Sequence, residues 1–254
     1  MRYIGIDIGS TASKTVVLEE GQENIYFTLP TGWSGKETAM AIRQKLGADN
    51  DADRIVATGY GRVCVDYADK VVTEITCHGR GGSQLFGTDC TIIDVGGQDT
   101  KVITVSGGTV TDFLMNDKCS AGTGKFLEIM AARLGATMEE LFTLAEGSKP
   151  VPISSMCTVF AESEVISHIG SGEKRGDIAA GVVDSVASRV AGLCTRHGIR
   201  GKAALTGGLC GSPYFIQRLS EKLGAPVETH PMGRYAGALG AALIAKQGGK
   251  GFRT

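Results

Sequence analysis

The sequence predicts an α/β protein built from a duplicated domain, and three observations lead there. Two distant stretches share one strand–glycine turn–strand pattern, a third glycine turn joins a strand to a helix, and glycine clusters at the ends of apolar runs. The chain has 254 residues, enough for one large or two small domains. Its 37 glycines are about twice ordinary usage. They gather in "DIGST", "CHGRGG", "DVGGQD", "SAGTG", "TGGLCGS" and "YAGALGAA", where a missing side chain lets backbone amides approach a ligand or another backbone. A net charge of −1 gives no basic footprint for nucleic acid or an anionic membrane.

The elements follow in order. "MRYIGIDIGS" opens as a strand with Asp7 inside it, not as a signal peptide. "IGIDIGSTASKTVVL" and, 87 positions later, "TIIDVGGQDTKVITV" form the repeat. In each copy an aspartate (Asp7, Asp94) closes a β-branched run, a glycine follows two residues on (Gly9, Gly96), and a lysine lies seven residues on (Lys14, Lys101). A tight glycine turn points N–H groups into one concavity that suits an anion, and a strand-end carboxylate can hold hydrated Mg²⁺. "CHGRGGSQLFG" and "YAGALGAALIAKQ" read as helices whose small residues permit a close crossing. "KAALTGGLCGSPYFIQRLSEKLG" reads as a strand, a turn at Gly207 and Gly208, and a helix capped by Ser212, begun by Pro213 and ended by Gly224. The uncharged run from Tyr235 to Ala245 is too short to cross a bilayer, so the expected location is the cytoplasm.

Seven cysteines in a reducing compartment leave metal or redox roles open. "NDKCSAGTGKF" imitates a phosphate-binding P-loop, but Cys119 stands where the first glycine belongs and Phe126 where the Mg²⁺ hydroxyl belongs. Phe126, Ile129, Met130, Arg133 and Leu134 follow helical spacing, which puts Cys119 at or just before a helix start. "SSMCTVFAESEVISHIG" repeats the arrangement with Cys157. A helix N-terminus stabilises thiolates. Two cysteines are too few for an Fe–S cube or a structural zinc, but a twofold dimer supplies four. Cys90 and Cys194 read as small buried hydrophobes, while Cys64, Cys77 and Cys210 lie in or near glycine turns. Glu162 and Glu164 read as solvated-face glutamates, His78 as a structural residue and Lys125 as a helix-face lysine.

Two phosphate loops, an adenosine loop and two glycine-bearing helices, in this order, resemble the acetate and sugar kinase/Hsp70/actin superfamily. That resemblance implies two ribonuclease-H-like α/β domains, an actin-like ATPase fold, around a nucleotide cleft. The first domain would comprise residues 1–73 plus 233–254, and the second 74–232. Loop 1 would offer ATP or ADP Asp7, Gly9, Ser10, Thr11, Ala12, Ser13 and Lys14. Loop 2 would offer Asp94, Gly96, Gly97 and Gln98, and the adenosine turn Gly207 and Gly208.

"ATGYGR", "EITCHGRGG", "NDKCSAGTGKFLE", "CTVFAESEVIS" and "TGGL", with the two repeats, make the resemblance narrower. The chain is similar to the activators of 2-hydroxyacyl-CoA dehydratases, the BadF/BadG/BcrA/BcrD ATPases or component A, whose relatives serve benzoyl-CoA reductases and double-cubane-cluster proteins. The resemblance implies a homodimer with one [4Fe–4S] cluster ligated by Cys119 and Cys157 of both subunits. It further implies ATP-driven, low-potential one-electron transfer from ferredoxin or flavodoxin to a partner enzyme. Asp7, Asp94 and Asp99 are then candidates for water-mediated contact with Mg²⁺. Gln98 and Asp99 are the candidate catalytic pair, with Gln98 orienting the attacking water. The rivals are a small-molecule kinase of the same superfamily, a non-enzymatic nucleotide switch and a zinc-bridged dimer. The partner enzyme's substrate cannot be read from this chain.

Overall fold

A computed structural model describes residues 1–47, 53–116, 120–155 and 157–248. Cys119 lies outside the described residues. In chain order the elements are β1 (Arg2–Ile8), β2 (Ala12–Glu19), β3 (Ile25–Pro30), α1 (Gly35–Leu46), β4 (Arg54–Thr58), β5 (Lys70–Val71) and α2 (Glu74–Phe86). There follow β6 (Cys90–Val95), β7 (Thr100–Ser106), β8 (Thr109–Asn116), α3 (Gly124–Arg133), α4 (Met138–Ala145), α5 (Thr158–Gly170) and α6 (Arg175–His197). The last are β9 (Lys202–Gly207), α7 (Pro213–Leu223), β10 (Val227–Glu228) and α8 (Ala236–Gln247). The protein is α/β with two five-stranded sheets, ordered β3-β2-β1-β4-β5 and β10-β9-β6-β7-β8. Packing divides the chain into one unit of Met1–Ile92, Ile103–Phe113 and His230–Thr254, and another of Ile93–Val102 and Leu114–Thr229.

In the first unit, β1 pairs antiparallel with β2, which sets Asp7 opposite Lys14, and parallel with β4. The period-2 alternation of β1 sorts its faces. Ile4, Ile6 and Ile8 pack with Ala39, Ile42 and Leu46 of α1. Gly5 points the other way, where Ala238 O of α8 lies 1.9 Å from the place a Cβ would occupy. α8 also crosses α2 backbone to backbone: a Cβ at Gly81 would stand 1.9 Å from Ala236 O, and one at Gly240 would stand 1.8 Å from Cys77 O. The small-residue segments therefore do cross closely.

One boundary differs from the sequence reading. α2 begins at Glu74, not at Cys77, because the Thr73 hydroxyl caps it by accepting the Thr76 N–H. Cys77 consequently lies buried within the helix and not in a glycine turn, and His78 is buried in its first turns.

In the second unit, α6 is the spine of a core shared with α3, α4, α5 and α7. Its Ile178, Val182, Val183, Val186 and Val190 pack with Phe126, Met130, Leu141, Val165 and Phe215. Complete burial of such side chains stabilises by roughly 1.5–3 kcal/mol each. α6 is long and apolar enough to cross a membrane by length and composition, but 72% of that stretch is buried in the protein. α7 has the caps its sequence indicates: Ser212 accepts the Phe215 N–H, and Gly224 ends the helix in the left-handed conformation at φ 64°.

Candidate nucleotide loops and cysteine segments

The repeat gives two aspartate-closed glycine turns, and each is built by its own unit. In the first, Asp7 is only 5% exposed at the end of β1. Gly59, from "ATGYGR", has φ +88°, and a Cβ on it would come 2.3 Å from Asp7 Oδ1. One on Gly237 would come 2.9 Å from Asp7 Oδ2. Backbone thus closes around the carboxylate, yet among the described residues no donor or cation bonds to it. The turn beyond is tight: a Cβ on Gly9 would meet Ala12 O at 2.6 Å and Lys14 Nζ at 3.2 Å. Thr31 holds this turn, donating through Oγ1 to Gly9 O at 2.7 Å and meeting the Ser13 hydroxyl at 2.8 Å. Ser10 is half-buried, Thr11 is exposed, and Ala12 begins β2.

In the second unit, Asp94 is 3% exposed at the corresponding position. Thr206 of β9 donates to its Oδ1 at 2.9 Å, and Lys101, itself 2% exposed, lies 3.5 Å from its Oδ2. The same ammonium donates to Asp99 Oδ1 at 2.7 Å. Gly96 N–H donates to Asp99 O, which closes the turn and leaves Gln98 exposed at its tip. Gly207 has φ +85°, and a Cβ there would stand 2.4 Å from Val95 O; Gly208 N–H donates to that same carbonyl. The turn read as an adenosine loop is therefore joined to the second glycine turn beside it.

The stretch that imitates a P-loop uses its amides differently. Gly124 N–H donates to Gly96 O and Lys125 N–H to Gly97 O, both at 2.9 Å. Two amides that a P-loop would turn toward phosphate instead support the back of the second glycine turn. Lys125 itself is an exposed helix-face residue paired with Glu128.

Cys157 is exposed at the N-cap of α5, where its thiol makes no capping bond. Val159 and Phe160 beside it are 66% and 67% exposed. The loop before it is fastened by Glu164 of α5, whose carboxylate accepts the N–H groups of Ser154 and Ser155 at 3.1 and 3.0 Å and the Ser154 hydroxyl at 3.1 Å. Burial pushes the Glu164 pKa up, but these hydrogen bonds outweigh it and bring it down to about 2. Because the folded pKa is lowered, the stabilisation is complete above the ordinary 4.5 and is lost as pH falls from there toward about 2. Glu164 is thus a loop anchor and not a solvated-face glutamate; Glu162, on the same helix, pairs with Arg133. A carboxylate facing N–H groups ten residues away has no short-range sequence signature.

The other thiols differ among themselves. Cys90 and Cys194 are buried, as expected of small hydrophobes. Burial pushes the pKa of Cys77 and of Cys194 up to about 12, which leaves both as unreactive thiols at neutral pH. Cys210 is buried and Cys64 half-buried against Gly35. Among the described residues, no group of three or more His, Cys, Asp or Glu side chains gathers to hold a metal ion.

Residues 4–245 match the BadF/BadG/BcrA/BcrD ATPase family. The (R)-2-hydroxyglutaryl-CoA dehydratase activating ATPase of Acidaminococcus fermentans is 46% identical over 249 residues, covering 95% of this chain and 96% of that one. The solved activator of 2-hydroxyisocaproyl-CoA dehydratase from Clostridium difficile, with bound ADPNP, superposes with a TM-score of 0.89 at 39% identity, covering 97% and 95% of the two chains. A ROK-family glucokinase from Streptomyces griseus, solved with glucose and AMPPNP, reaches a TM-score of 0.59 over 98% and 100% of the chains at 17% identity, a likeness of fold alone. The two-sheet α/β architecture, the fold it shares with activators and ROK kinases, and the family match over most of the chain agree: the chain belongs to the BadF/BadG/BcrA/BcrD ATPase family, and its role is that of an ATPase.

Proposed function

We propose that the chain is the ATP-hydrolysing activator of a 2-hydroxyacyl-CoA dehydratase, or of a related cluster-containing reductase, and that it passes single low-potential electrons to that partner as a homodimer. The observation that carries this reading is Cys157. Its thiol is exposed, unbonded and flanked by exposed apolar side chains, on a loop anchored from two helices. Such a donor set is half of what an iron–sulfur cube requires if Cys119 joins it, and a second copy of the chain would complete four thiolates. A [4Fe–4S] cluster held by Cys119 and Cys157 of both copies would supply low-potential one-electron transfer, with ferredoxin or flavodoxin as donor. The names of the 46% identical and structurally matched relatives, dehydratase activators both, support the partner class.

For Mg–ATP, the unpartnered and enclosed Asp7 carboxylate suits a hydrated cation better than it suits empty space. Asp94 and Asp99 take the equivalent role in the second turn, where Lys101 partly neutralises them. The amides from Gly9 to Lys14, and those of Gly96 and Gly97, bind phosphate oxygens. The Ser13 hydroxyl is engaged with Thr31, so this residue contributes through its backbone. Gln98, exposed at the tip, orients the attacking water, and Gly207 and Gly208 lie against the nucleoside.

The test is electron transfer itself. Chemically reduced protein, kept anaerobic, should pass electrons to a 2-hydroxyacyl-CoA dehydratase in the presence of Mg–ATP and not with a non-hydrolysable analogue. ADP formation that depends instead on a small hydroxylated substrate, with a phosphorylated product and no electron transfer, would replace this reading with the kinase.

A further inference from the structure

The two cysteine-bearing segments are far apart in sequence, yet one side chain reaches both. Arg189, on α6, donates through one guanidinium nitrogen to Ala121 O at 3.0 Å and through the other to Ser155 O. Ala121 follows Cys119 by two residues, and Ser155 precedes Cys157 by two. The Ser185 hydroxyl lies 3.0 Å from the same guanidinium, and the fully buried Phe126 ring of α3 lies beneath it at 5.0 Å. A second, weaker tie joins the same segments, with Ser120 Oγ 3.0 Å from Thr158 Oγ1.

Apolar packing shares this work, since Val151 and Ile153 lie against the core of the second unit. Residues 150–154, which lead to the Cys157 loop, line a pocket of about 510 Å³ together with Asp184, Ser185 and Arg189. Nearer to Cys157 the loop is held by polar bonds, from Glu164 on one side and Arg189 on the other. A planar fork can satisfy two carbonyls that diverge from each other, whereas a lysine ammonium satisfies them poorly.

We propose that Arg189 is a positioning residue that sets the spacing of the two cysteine segments within one chain and brings a fixed positive charge to the carbonyls two residues from each cysteine. The proposal rests on the reading of Cys119 and Cys157 as ligands, so its test separates geometry, charge and ligation. Arg189→Lys keeps the charge and loses the fork; Arg189→Met loses both. In the metal-free protein, amide exchange at Thr123, Ser154 and Ser155 should accelerate together in both variants, with Ser154 and Ser155 also accelerated in Glu164→Gln.

In the iron-loaded protein, removal of iron by a chelator should be about 10–100-fold faster in both Arg189 variants, the usual cost of losing an outer-shell partner. The midpoint potential should become more negative in Arg189→Met and stay near the wild-type value in Arg189→Lys, because a nearby cation favours the reduced, more negative form. A purely local role for Arg189 predicts faster exchange around residues 185–193 alone, with iron retention and potential unchanged, and that result overturns the proposal. Wild-type protein that takes up no iron overturns the ligand reading instead, while the exchange measurement still decides whether Arg189 ties the segments.

Discussion

Gly240→Ala should destabilise the first unit by about 3 kcal/mol or more, at the upper end of what overpacking costs. The added methyl would sit 1.8 Å from Cys77 O and 2.8 Å from Gly81 N, both backbone atoms of α2 that no rotamer change can move aside. Relief requires α2 and α8 to separate. That separation would also pull α8 from β1, where Ala238 and Ala242 pack against Gly5. At roughly 2–4 °C per kcal/mol for a chain of this size, the thermal midpoint should fall by about 10 °C. Gly192→Ala is the matched control. Gly192 lies within α6, nothing approaches its Cβ position, and its φ is not positive. There the change should stabilise by about 0.5–1 kcal/mol, the ordinary helical advantage of alanine. A tolerated Gly240→Ala would mean that the helices do not cross as closely as described.

This contrast shows what was legible in the sequence. Local patterns were readable because short-range physics writes them: both copies of the repeat, the Ser212 and Gly224 caps, and the small-residue stripes of α2 and α8 each need only a few neighbouring residues. The reading of "CHGRGGSQLFG" as a helix starts it three residues late, because the capping threonine, Thr73, lies upstream of the glycine-rich stretch. The candidate site was legible as loops and not as contacts. Asp7, Asp94, Lys101, Cys119 and Cys157 stand out by position, whereas Thr206, Glu164 and Arg189 act across 112, 10 and 68 positions, on Asp94, Ser154 and Ala121 respectively. Hydrogen-bond partners at such separations are chosen by the fold, and a single chain carries no record of them until it is folded.

Asp7→Asn should remove activity while it leaves the fold intact. Asparagine keeps the shape of a side chain that is 5% exposed and removes only its charge. ADP formation in the presence of Mg²⁺ should fall on the order of a hundredfold, since a positioned metal ion contributes several kcal/mol to phosphoryl transfer. The pairing of lost activity with an unchanged thermal midpoint is the informative part. A destabilised, still active variant would place Asp7 among ordinary structural residues. Asp94→Asn should behave differently, because Asp94 already has Thr206 and Lys101 as partners. Its loss leaves a buried ammonium with less compensation, so activity and stability should fall together.

Iron and acid-labile sulfide per pair of chains, measured on anaerobically purified protein of known oligomeric state, decide whether Cys119 and Cys157 hold a shared cluster. The expected result is a brown dimer with about four irons and four sulfides, reduced to background in Cys119→Ser and in Cys157→Ser. A colourless protein that takes up no iron on reconstitution, or one that keeps its full iron content without Cys157, would contradict it.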